Sequence, residues 1–152
     1  MNQALAIETI EELLDASPSR LVVMLYDEAL ARLEAGVAAV ERGDIESRCI
    51  AVNKAIEIVC HLHVTLDTEQ GGEIAAKLAD LYRFLLARLP AVNVHNDAEP
   101  ARLAIRLLSP MRNSWTELDE RIRESVAAAE SLAGEVVPAM LADRALAAKA
   151  SA

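Results

Sequence analysis

Aromatic side chains are nearly missing from this chain, which holds one Trp, two Tyr and one Phe, 3% of its 152 residues, although 53% are hydrophobic. A core with so few rings has to be filled by leucine and alanine, a composition that favours close-packed helices. Strand formers never alternate with polar residues over a useful length, so no sheet is expected. Basic clusters are missing too: 24 acidic residues face 15 basic ones, for a net charge of -9. Nucleic acid is thereby excluded as a partner, because phosphate binding rests on clustered cations.

Other absences narrow the class further. The first fifteen residues carry Glu8, Glu11, Glu12 and Asp15 and no basic side chain, unlike a cationic targeting peptide. No run approaches the roughly 20 consecutive apolar residues of a membrane span, so the expectation is a cytoplasmic protein without membrane insertion. The two cysteines, Cys49 and Cys60, are eleven residues apart on one expected helix, about 16 Å by the helix rise. A disulfide between them is out of reach, and they read as structural thiols.

Enzyme signatures are absent as well. There is neither a GxxxxGK[ST] nor a GxGxxG phosphate loop. A di-iron bundle needs paired Glu-x-x-His motifs, whereas Glu57 and His61 stand four apart and have no second copy. His61 and His63 fall on different helix faces, and His95 sits in a connector. The reading is therefore not an enzyme, with no metal and no cofactor; the carboxylates follow solvated faces.

What the chain does contain is helical periodicity. The only adjacent glycines, Gly71 and Gly72, divide two long apolar-periodic halves and allow a tight reversal. Residues 3–14 place Ile7, Ile10 and Leu14 on one face of a short amphipathic helix. Ser17 and Pro18 then form an N-cap and first helical position for a helix that stops at Gly43. Asp44 caps a second, carrying Ile45, Val52, Ile56, Val59 and Leu66 on one face and ending near Asp67. A third follows the glycines, with Ile74, Leu78, Leu81, Leu85 and Leu89 on its stripe, until Pro90 loosens or ends it. Residues 93–97 form a connector, and a fourth helix begins near Ala98, with Leu103, Leu107, Met111, Trp115, Leu118, Ile122 and Val126 along one face and a kink expected at Pro110.

Short connections between long amphipathic helices imply an all-α, antiparallel up-and-down four-helix bundle. It comprises a single domain over 1–126, with a cap segment over 1–15, followed by an alanine-rich tail over 127–152 that is frayed, weakly ordered or helical. One core face does not use all the aliphatics. Val23, Met24, Ile50, Ile58 and Leu62 fall off the expected core face and are candidates for gripping a partner helix in a groove. Leu25, Tyr26, Leu81, Tyr82 and Trp115 read as core.

Several short pieces also occur in a characteristic order. They are Ala16-Ser17-Pro18, Met24-Leu25-Tyr26-Asp27, Gly43-Asp44-Ile45, Lys54-Ala55, Leu66-Asp67, Glu69-Gln70-Gly71-Gly72-Glu73-Ile74-Ala75, Leu81-Tyr82, Arg88-Leu89, Asn93, Asn96-Asp97 and Trp115. Over about a hundred residues this succession resembles the FliS-type flagellar export chaperones. The chain departs from them in having no tyrosine before Tyr26. The resemblance implies a partner, the disordered C-terminal segment of flagellin, which folds on the chaperone and is kept from polymerising before export. It also brings in the flagellar export gate as a further partner, and the surplus aliphatics leave room for a homodimer. The other readings are a generic adaptor for some other amphipathic helix and a histidine phosphotransfer module using His61 or His63.

Overall fold

The computed structural model describes residues 15–151, which are all helix, turn and connector without a strand. Helix α1 spans Pro18–Arg42. The Ser17 side chain accepts a hydrogen bond from the Arg20 N–H at 3.2 Å, and Pro18 takes the first helical position, as the sequence requires. Gly43 closes α1 with φ of 72°. Its N–H and that of Asp44 return to the carbonyls of Val40 and Ala39, satisfying two groups that the helix end leaves open. Asp44 immediately caps α2, Ile45–Val64, by accepting from the Ser47 N–H at 3.0 Å.

The Asp67 carboxylate accepts from the backbone N–H groups of Glu69 and Gln70 and shapes the next turn. Gly72 has φ of 55°, where a side chain would be strained, and α3 runs Gly72–Arg88. Pro90 ends that helix, as its missing N–H demands. The chain does not then become a simple connector, because Pro90–His95 forms a further helix, α4, with the proline in its first turn. Helix α5 covers Glu99–Ala150 and passes through Pro110 without ending. The residues expected to fray after Ala127 remain helical to Ala150. The predicted helix over 3–14 lies outside the described residues.

The described residues divide into two compact units between Thr116 and Glu117. In the first unit, Tyr26, Ala29 and Leu33 of α1 meet Val52, Ala55 and Val59 of α2, and Leu78, Tyr82 and Leu85 of α3. Val92 of α4 and Ala101, Ala104 and Leu108 of α5 complete this core. Alanine at so many buried positions lets backbones approach closely. In the second unit every residue from Glu120 to Ser151 is exposed. Helix α5 also contains an 18-residue window with mean hydropathy of 1.2, long and apolar enough to cross a membrane by length and composition, none of it buried.

The core faces depart from the expected ones in two places. Ile74, assigned to the stripe of α3, is 73% exposed, because the inward face of that helix is set by Ala75, Leu78, Tyr82 and Leu85 and Ile74 lies at its edge. In α2 the inward face is centred on Val52, Ala55, Val59 and Leu62. A count of large aliphatics alone ignores Ala51 and Ala55, and so turns the wheel away from the true interior. Ile45 is consequently exposed, while Ile58 and Leu62 are buried.

Candidate partner-binding groove

Along α1, Met24, Glu28, Ala31, Ala35, Ala38 and Arg42 recur at steps of four and three, hence on one face. None of them is fully buried. Next to this row, α1 and α2 enclose an open groove of about 370 Å³ lined by Arg32, Ala35, Ala38, Arg42, Ser47, Ile50 and Ala51. Its floor is small and apolar, its rim carries two cations, and Ile50 stands over it with 60% of its surface exposed. Arg32 is tied to Glu28 at 2.7 Å on the same helix. Ser47 adds a hydroxyl to the lining. The arrangement suits the apolar side of an amphipathic helix with a carboxylate near the rim.

Close approach of α1 to α2 makes the groove. Gly36 is buried between them, and a Cβ added there would come within 2.9 Å of Val52 Cγ2. Polar contacts brace the surrounding bundle. The hydroxyls of Tyr26 and Tyr82 hydrogen-bond at 2.5 Å inside the core. Burial raises the pKa of Tyr26 above its usual value, opposed by hydrogen bonds with Tyr82 and Trp115. Burial also raises that of Tyr82, and its bond to Tyr26 adds to the rise. Trp115 itself is half-buried against the core.

On α2, the buried Arg48 donates to the Asn96 side-chain oxygen and, at 3.3 Å, to the Asn93 carbonyl. It thereby fastens the C-terminal end of α4, where Asn96 adopts φ of 51° and a cation complements the helix dipole. Arg112 of α5 reaches Asp27 of α1 through Nε at 2.6 Å and Nη2 at 3.4 Å. That carboxylate holds the Arg112 pKa above its ordinary value. Arg102 and Glu41 add a second link between the same helices at 2.8 Å.

The five candidate residues separate in the structure. Ile50 lines the groove and Met24 is half-buried on the same face of α1 as Ala35 and Ala38. Val23 is fully buried, and Ile58 and Leu62 are 7% and 5% exposed. The last two belong to the core cluster, so the expectation that they lie off the core is corrected: the alanine-bearing side of α2 faces inward and carries them with it. Residues that complete the groove, Ala35, Ala38 and Ala51, went unnoticed because alanine carries little hydropathic signal. The alternating steps of four and three, and a lone glycine amid a strong helical pattern, were the available clues.

Comparison with known proteins decides the family. A family model described as flagellar protein FliS matches residues 1–122. The chain belongs to the FliS family. Flagellar secretion chaperone FliS of Salmonella typhimurium is 36% identical over 109 residues, 71% of this chain and 81% of that protein. Flagellar secretion chaperone FliSB of Pseudomonas aeruginosa is 35% identical over 115 residues, covering 76% of this chain and 91% of its own length. A more distant FliS, from Bacillus subtilis, is 26% identical over 102 residues, 67% of this chain and 75% of the relative. The FliS match includes the groove, the tyrosine pair and the Arg48 clasp. The helix from Arg123 onward lies beyond the matched residues.

Proposed function

We propose that this chain is a cytoplasmic flagellar export chaperone that binds the disordered C-terminal segment of flagellin, keeps it from polymerising and supports its export, with no catalytic step. Its helices are read as an antiparallel up-and-down four-helix bundle, with residues 1–126 as the functional domain. Membership of the FliS family supports the flagellar role, and the chaperone names of its relatives supply the class of partner. The single observation carrying the binding mode is the alanine-floored groove beneath an exposed Ile50.

The physical logic is coupled folding and binding. An extended, sticky terminus becomes a helix whose apolar side is covered, removing the surface through which subunits associate. Ordering such a segment costs roughly 2 to 5 kcal/mol or more, and one buried aliphatic returns only about 1.5 to 3 kcal/mol. A usable affinity therefore needs the length of the α1 row, from Met24 to Arg42, in addition to Ile50. Val23, Ile58 and Leu62 have almost no surface to offer in this conformation and serve the groove by holding its walls. The flagellar export gate is a further partner on this reading.

Titration of a flagellin C-terminal peptide into the purified chain tests the proposal. Ile50→Asp should weaken binding by at least about tenfold, the equivalent of roughly 1.4 kcal/mol, with unchanged helicity by circular dichroism. Ala35→Glu should do the same by filling the groove floor. Undiminished binding by both variants would remove this groove from the reading, and no binding by the unaltered chain would remove flagellin.

A further inference from the structure

We propose that the junction of α2 with α4 encloses one internal water molecule, bound between Nε of Arg48 and Oδ1 of Asn93. Arg48 is only 6% exposed, and its two terminal nitrogens are committed to the Asn96 side chain and to the Asn93 carbonyl. Its Nε–H is buried and meets no partner in the protein. Asn93 shows the reverse. Its amide nitrogen donates to Asn53 Oδ1 at 3.2 Å, while its own side-chain oxygen is buried and meets none. An orphan donor and an orphan acceptor thus belong to two residues that already touch, since Nη2 of Arg48 lies 3.3 Å from the Asn93 carbonyl. Buried polar atoms are seldom left without a partner.

The polarity of the two atoms selects the ligand. Whatever sits between them has to accept from Nε–H and donate to Oδ1. A carboxylate accepts but does not donate, and would meet the amide oxygen with like charge. A metal ion or an ammonium group would face the guanidinium. A water molecule does both, and the second lone pair of the Asn93 carbonyl can take its other hydrogen, giving the three bonds typical of an internal water. Turning the Asn93 amide over does not remove the need: its NH2 would then oppose Nε–H, donor against donor, and its oxygen would oppose Asn53 Oδ1. The water has a mechanical consequence. Helix α4 spans six residues, Pro90–His95, too few to hold together alone, so its attachment to α2 rests on how completely the Arg48 guanidinium is satisfied.

Heteronuclear NMR of the full chain with nitrogen-labelled arginine tests the assignment. The Arg48 Nε–H is expected to show a nuclear Overhauser contact to a water molecule that stays far longer than surface water, and Asn93→Ala should abolish that contact with helicity unchanged. A scalar coupling through a direct hydrogen bond from Arg48 Nε to the Asn93 amide oxygen would overturn the proposal, because the clasp would then close dry. So would an Nε–H without a long-lived water, or one whose water persists in Asn93→Ala and therefore does not bridge to Oδ1. Should Asn93→Ala lose its helicity, the contact measured in the unaltered chain decides alone.

Discussion

Two tyrosines on helices α1 and α3 hold their hydroxyls together where water does not reach, and burial makes both harder to ionise. A folded-state pKa above the unfolded value of about 10 means that the native state keeps its protons where the unfolded chain releases them. The associated stability is complete below about pH 10 and is lost progressively as pH rises beyond it. Urea midpoints measured up the alkaline range should fall with this onset, and Tyr26→Phe with Tyr82→Phe should flatten the decline. At neutral pH, Tyr82→Phe alone removes one buried hydrogen bond and should cost about 1 kcal/mol. Arg48 is more consequential, since its buried guanidinium serves two acceptors at the end of α4. Arg48→Ala should destabilise by roughly 2 to 3 kcal/mol, in the range of hydrogen bonds to charged groups, readable as a lower urea midpoint.

Helix boundaries were legible where a local rule operates alone. Ser17, Pro18, Gly43, Asp44 and Pro90 each act through their own backbone and its immediate neighbours, and the structure places ends where those residues require them. Faces were less legible, because which side of α2 turns inward depends on how near α1 comes, and Gly36 decides that. Gly36→Leu should press against Val52 and push α1 from α2. The expected loss is about 1 to 3 kcal/mol for overpacking, set against roughly 1 kcal/mol gained in helix propensity. Thermal unfolding would register the balance, and the same variant should also weaken peptide binding by distorting the groove. Leu62→Asp would bury a charge at a position only 5% exposed and should unfold the bundle, visible as lost helicity by circular dichroism.

For the molecule as a whole, binding should reinforce folding, because flagellin's segment is expected to engage the native groove and not the unfolded chain. At peptide concentrations a hundredfold above the dissociation constant, linkage adds about 2.7 kcal/mol. The unfolding midpoint should therefore rise with peptide, and the rise should vanish in Ile50→Asp. The amino-acid order by itself determined that the chain is helical, where α1 begins and ends, and the family to which its motifs point, since periodicity, caps and motifs are local properties. It could not apportion Val23, Met24, Ile50, Ile58 and Leu62 between interior and surface. That depends on the rotation of each helix about its axis, a choice made by packing small residues against neighbours distant in the chain. Tertiary structure made it: Ile58 and Leu62 went inward with Ala55, and Ile50 was left standing over Ala35 and Ala38.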